Sequence, residues 1–133
     1  MTPEAAQKIL DSSFAPWVRA LHPRITQIDA QSTILSMPVT EDINRIGGIV
    51  CGQALAALAD TAMVFACFGH LDAIEPVGTV TLDTQFLRPA SGDSIRAVAE
   101  VTRAGKSMIF TRCTLYSDPS GKPVALATAT FAR

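Results

Sequence analysis

The spacing of apolar residues changes along the chain, and each change marks an element. From residue 52 to 68 the run Gly-Gln-Ala-Leu-Ala-Ala-Leu-Ala-Asp-Thr-Ala-Met-Val-Phe-Ala-Cys-Phe has no proline and no internal glycine. It is rich in Ala, Leu and Met, which predicts a helix. It is apolar nearly all round, the mark of a helix buried on most sides. Gly69 follows as the expected C′ residue. One charge, Asp60, sits in the middle, and a carboxylate in apolar surroundings is costly unless something pairs with it or uses it.

Before this helix the pattern is shorter. Residues 2–10 predict a helix capped by Thr2, with Pro3 in its first turn and Glu4 near its positive end. Residues 13–21 predict a second short helix or an irregular segment, with Phe14, Trp17 and Leu21 spaced as a packing face, and His22-Pro23 ends it. Alternating runs at 24–29 and 32–39 predict two strands turning at Ala30-Gln31. Residues 40–50 predict a loop, in which Gly47-Gly48 allow the backbone to approach a ligand. After Pro76 come four strand candidates, 78–87, 94–102, 107–116 and 123–131, joined by short turn-rich links, so an antiparallel meander is expected. The architecture is α+β: an early hairpin, one long buried helix, and a sheet that must curl around it. Met63, Phe65 and Phe68 read as pocket lining or, as is commoner for helix aromatics, as core. A single domain over residues 1–133 is expected, with 1–22 as an N-terminal helical segment.

Composition narrows the function classes. The 133 residues are 48% hydrophobic and only 17% charged, which hints that further surface is buried by self-association. A net charge of −1 gives no reason to expect nucleic acid or an anionic membrane as partner. The cysteines, Cys51, Cys67 and Cys113, are odd in number and lack CxxC spacing, so neither a disulfide framework nor a zinc site is expected, and a reducing cytoplasm suits them. The first residues show no signal-peptide pattern. The helix at 52–68 is short for a membrane span and would place Asp60 near mid-membrane.

Taken in order, Asn44, Gly47-Gly48, Cys51-Gly52-Gln53, Leu58-Ala59-Asp60-Thr61-Ala62, Phe86-Leu87-Arg88-Pro89 and Gly105-Lys106 form a pattern. It resembles the hotdog-fold acyl-CoA thioesterases of the phenylacetate-pathway (PaaI) type, over roughly residues 20–132. The resemblance implies a curved antiparallel sheet around the helix, homodimers that pair into homotetramers, and hydrolysis of acyl-CoA. No metal and no cofactor is implied beyond the coenzyme A of the substrate. It also implies roles. The Gly52 N–H polarises the thioester carbonyl. Asp60 is nucleophile or general base. Asn44 orients the thioester or holds its loop, although Asn44 as a simple turn cap is an equal reading. Thr79 positions water, with Thr81 on the same strand face as a substitute. Lys106, Arg103 and Arg88 contact the CoA phosphates. One position departs from the family: its His-Gly-Gly is Cys51-Gly52-Gln53 here, so the histidine is missing and Gln53 is a candidate replacement donor.

Elementary geometry supports this from a second direction. A helix N-terminus at Gly52 presents unpaired N–H groups to a developing oxyanion. Asp60 lies about 12 Å further along the same helix, too far to serve the same carbonyl. Two copies with antiparallel helices bring Gly52 of one to Asp60 of the other, which makes two shared sites per dimer. Cys51 at the helix start is an alternative thiolate nucleophile, or a small packed residue. The hotdog dehydratases need a histidine, and neither His22 nor His70 is suitably placed. A non-catalytic acyl-CoA-binding hotdog protein is the other alternative. Gly105-Lys106-Ser107 resembles the tail of a phosphate-binding loop, but Glu100 stands where its first glycine belongs.

Overall fold

The computed structural model describes residues 1–133. Helix α1 (Pro3–Ser13) is capped by Thr2, whose hydroxyl accepts the Ala5 N–H at 3.1 Å. A single turn, α2 (Pro16–Arg19), follows. Strands β1 (Arg24–Ile28) and β2 (Thr33–Pro38) form the expected hairpin. Residues 40–50, expected as a loop, are more ordered. They hold a 3-10 turn at Glu41–Ile43 and a small hairpin of β3 (Asn44–Arg45) and β4 (Ile49–Val50). Gly47 and Gly48 make its turn at φ of 100° and 75°, a region open to glycine at little cost.

Helix α3 (Gly52–Leu71) runs three residues beyond the predicted end. Gly69 is therefore inside the helix, and Asp72 takes the left-handed cap position at φ 49°. Strands β5 (Gly78–Phe86), β6 (Ser94–Ala104), β7 (Met108–Asp118) and β8 (Lys122–Ala132) complete the chain. The six long strands make one antiparallel sheet in the order β1-β2-β6-β7-β8-β5, wrapped around α3.

The expected meander is thus confined to β6, β7 and β8. Strand β5 does not pair with β6; it pairs with β8 and forms the sheet edge. Its link to β6 is not a hairpin turn. It crosses the end of the sheet, where Val50 N–H donates to the Ala90 carbonyl and Val39 N–H to the Asp93 carbonyl, both at 2.9 Å.

The inner face of the sheet is built for close approach. Ala97 and Ala99 of β6 and Ala125, Ala127 and Ala129 of β8 all point inward and are buried. Small residues there let an Ala-rich helix sit tightly against the strands. Larger side chains fill the remaining space: Leu35, Met37, Ile95, Leu115 and Phe131 from the sheet, and Leu58, Met63 and Phe65 from α3, all essentially solvent-free. The one buried threonine of β7, Thr111, donates its hydroxyl to the Ala129 carbonyl at 2.9 Å and so is not stranded.

Candidate active site

Twelve of the twenty residues of α3 are buried, so the helix is not apolar-covered on every side. Gln53, Ala56, Ala57, Asp60 and Val64 remain open, and their spacing places them on one stripe of the helix. Asp60 is on that stripe because the sheet takes the opposite faces. Its carboxylate is half-buried, and Thr79 Oγ1 of β5 donates to Oδ1 at 3.2 Å. Burial pushes the Asp60 carboxyl above the ordinary carboxylate range, and the Thr79 hydrogen bond opposes part of that rise. The stripe forms one wall of a cavity of about 460 Å³, closed elsewhere by residues 14–18 and by Leu82.

The N-terminal end of α3 opens elsewhere. Gly52 is its first residue, and the side chain of the cap residue, Cys51, makes no bond into the helix. The first N–H groups of a helix have no partner within it, and they carry the positive end of its dipole. A second cavity, of about 370 Å³, lies at this end and includes Gly52, Arg45, Leu55, Phe86 and Arg88. The Phe86 ring stands against Gly52 so closely that a Cβ there would lie 3.1 Å from its Cζ. Asn44 sits in the adjoining hairpin, where Cys51 N–H donates to the Ile43 carbonyl at 2.8 Å. The Asn44 side-chain oxygen is buried without a partner, as is the Thr84 hydroxyl of β5. Within one protomer, then, the Gly52 end of α3 and the Asp60 carboxylate open into separate cavities.

A family model for the thioesterase superfamily matches residues 47–124, the stretch from the glycine turn through α3 and into β8. The chain belongs to the thioesterase superfamily. A thioesterase family protein from Silicibacter pomeroyi superposes with a TM-score of 0.83 at 28% identity, covering 96% of each chain. A Haemophilus influenzae thioesterase superposes at 0.88 over 99% of this chain and 90% of that one, at 20% identity, a likeness of fold. A candidate esterase of Thermoplasma volcanium is 29% identical over 80 residues, which are 60% of this chain and 59% of that protein. Membership supports a hydrolase of thioesters or esters in general, and the hotdog architecture is the one described above.

In this superfamily member some expected site residues assemble and others do not. Asp60 and Thr79 meet. Gly52, Cys51 and Asn44 cluster at the helix start. Thr81 is not on the face of Thr79. A bulge between them pairs Thr79 with the inward Phe131 but Thr81 with Thr130, which faces outward, so Thr81 cannot take the place of Thr79. Gln53 lies on the Asp60 stripe and lines the Asp60 cavity, not the Gly52 cavity of its own chain. The three cations also separate. Arg88 lies at the Gly52 cavity, whereas Arg103 and Lys106 flank the β6–β7 turn beyond the first residue of β5. The length of β5, about 27 Å, divides them.

Cys51 has no histidine near it. His70 is in the last turn of α3, about 28 Å along the helix, with its Nδ1 3.2 Å from the Ala30 carbonyl oxygen. Burial pushes the other two thiols, Cys67 and Cys113, up to about 12, so they stay protonated. Sequence reasoning missed Arg45, Leu82 and Thr84, and it read Phe86 as part of a motif without a place at the site. It also placed Trp17 in a packing face, whereas Trp17 is 59% exposed at the rim of the Asp60 cavity. The i, i+3, i+4, i+7 spacing from Gln53 through Asp60 was the available signal for the open stripe.

Proposed function

We propose that this protein hydrolyses acyl-CoA thioesters to the free acid and CoA at sites shared between two protomers. The observation that carries this reading is the division of labour along α3. Its uncapped N-terminus opens at one cavity, and Asp60, hydrogen-bonded by Thr79, lines another about 12 Å along the axis.

Strand β5 is an unpaired edge with Val80, Leu82 and Phe86 all substantially exposed, which suits pairing with its counterpart in a second copy. Antiparallel pairing of β5 would carry Arg88 of one protomer toward the Arg103–Lys106 turn of the other, assembling one cationic rim for the CoA phosphates. The same symmetry brings the Gly52 N–H to the partner's Asp60. The thioester carbonyl then accepts from the Gly52 N–H, which stabilises the tetrahedral oxyanion. With Asp60 as general base, water loses a proton to the carboxylate as its oxygen bonds to the carbonyl carbon. Collapse breaks the C–S bond, and the CoA thiolate takes up the proton. With Asp60 as nucleophile, its oxygen bonds to the carbonyl carbon, collapse breaks the C–S bond and expels the CoA thiolate, and water then cleaves the anhydride to the free acid and the Asp60 carboxylate, its proton passing to the thiolate. The raised carboxyl of Asp60 suits proton acceptance. The neutral donors at the helix start replace the polarising histidine that Cys51 removes.

The test is Asp60→Asn across a panel of acyl-CoA substrates. Turnover should fall by about 10²–10⁴-fold while acyl-CoA still binds. Wild type that binds acyl-CoA but hydrolyses none would instead make this a binding protein. Solvent ¹⁸O appearing in Asp60 during a single turnover would assign the anhydride route.

A further inference from the structure

The cavity beside Asp60 differs in chemistry from the others on the molecule. Eight of its eleven lining residues are hydrophobic, and no basic side chain lines it. The cavity beside Arg88 and Lys122, of similar size, has one hydrophobic residue in ten. One side of the apolar cavity is rigid. Phe14 stacks on the buried Phe65 with ring centroids 5.2 Å apart and planes 18° apart, and Phe65 packs edge-on against Phe68. Arg19 Nη1 donates to the Asp11 carbonyl at 3.0 Å, which fixes the α2 turn against α1. Val64 of α3 and Leu82 of β5 also line the cavity. The rim is left to Trp17, an indole that is 59% exposed although it borders an apolar recess. A large aromatic left in water at such a place is poised to cover an apolar ligand.

Two further features say what that ligand is. The one charge in the wall is the Asp60 carboxylate, which repels a second carboxylate on an acyl group and offers it no counter-ion. An acyl group whose carbonyl lies at Asp60 enters a recess whose walls include Ala56, Ala57 and Val64 and whose lining includes Trp17.

We propose that this cavity is the acyl subsite and that Trp17 closes over the acyl group, selecting uncharged apolar acyl chains, alkyl or aryl, over acetyl and over acids with a second carboxylate. This rests on the thioester reading for the placement of the carbonyl at Asp60. Trp17 is a specificity determinant here, with no part in bond making.

Trp17 is the only tryptophan of the chain, so its fluorescence reports this cavity and nothing else. Wild-type and Asp60→Asn protein are titrated with octanoyl-CoA, benzoyl-CoA, succinyl-CoA and free CoA. A saturable blue shift is expected with octanoyl-CoA or benzoyl-CoA and none with succinyl-CoA or CoA. Which of the first two gives the tighter curve distinguishes alkyl from aryl. In turnover, kcat/KM should rise about fourfold per added methylene from butanoyl to octanoyl, the increment of hydrophobic burial. Trp17→Ala should lower the octanoyl-to-acetyl ratio of kcat/KM by about tenfold or more.

A blue shift without any hydrolysis would sink the thioesterase reading and keep the apolar subsite. Hydrolysis with no chain-length preference, or with equal losses for acetyl and octanoyl in Trp17→Ala, would keep the thioesterase and overturn the subsite. Emission that is already blue in free protein and silent to every ligand would also overturn it, because a second copy would then occupy the cavity.

Discussion

Gly69→Ala tests how tightly α3 is held against the first hairpin. Gly69 has helical backbone and no positive φ, so alanine is conformationally welcome there and gains about 1 kcal/mol of helix propensity. The obstacle is space. A Cβ at Gly69 would lie 2.6 Å from the Asp29 carbonyl oxygen and 2.9 Å from Ile28 Cγ1. The carbonyl cannot easily give way. Asp29 Oδ1 accepts the Gln31 and Ser32 N–H groups at 2.8 and 2.9 Å, and Asp29 N–H donates to the Ser32 carbonyl at 3.0 Å. The helix must retreat instead, and overpacking of this kind costs roughly 1–3 kcal/mol, here toward the upper end because the neighbour is pinned backbone. The net loss should be about 1–2 kcal/mol, which for a domain of this size lowers Tm by about 5 °C. Urea denaturation followed by circular dichroism should show a lower midpoint with an unchanged slope. A variant as stable as wild type, or more so, would refute the close contact and leave propensity as the whole effect.

Further outcomes follow from the site. Because burial holds the Asp60 carboxyl above the ordinary range, kcat/KM should fall on the acid side at a pH above that of an exposed aspartate. Thr79→Val should move this limb further up, and a limb that stays put or moves down would contradict the Thr79–Asp60 bond. The same shift has a sign for stability. An acid whose carboxyl is raised in the folded state costs stability in full above its folded value, and the cost shrinks as pH falls through that value and is gone below the unfolded one. Asp60→Asn should therefore be more stable than wild type near neutral pH, with the gain shrinking in acid; a variant less stable at pH 7, read by thermal melts, would count against it. On sedimentation the active species should be at least twice the 14.1 kDa of one chain, and activity per chain should fall when dilution yields monomer. Full activity in a monomer would remove the shared site.

Much of the fold was legible because its signals were local. The α3 run had no breaker, and β6, β7 and β8 alternate cleanly toward the helix. Strand β5 was legible as a strand and illegible as an edge. Its place depends on the link through Ala90 and Asp93, whose carbonyls are taken by residues forty or more positions earlier in the chain. The bulge that turns Thr81 outward leaves no mark in the sequence. Gly69 read as a helix end because glycine commonly caps; only the nearness of Asp29, a tertiary fact, shows why it is glycine. Trp17 misled for a related reason. Helical spacing from Phe14 assumed one continuous helix, but Phe14 lies between α1 and α2, and α2 has four residues. Asp60 was the clearest signal of all, since a lone carboxylate in an apolar run demands a use.

On this account the Gly52 N–H and the Asp60 carboxylate of one α3 serve different sites. Co-assembly of a Gly52→Pro chain with an Asp60→Asn chain tests it directly. Proline at the first helical position removes the N–H, and Cys51 already has the extended backbone, φ −68° and ψ 150°, that a residue before proline requires; the added Cβ, 3.1 Å from Phe86 Cζ, is taken up by a small shift of that exposed ring. Each variant alone should lose about 10²-fold or more of its activity. An equal mixture allowed to exchange should regain about a quarter of the wild-type rate, since half the dimers are mixed and each mixed dimer has one intact site of two. Mixtures of folded, exchanging chains that stay as inactive as the separate variants would contradict the shared site.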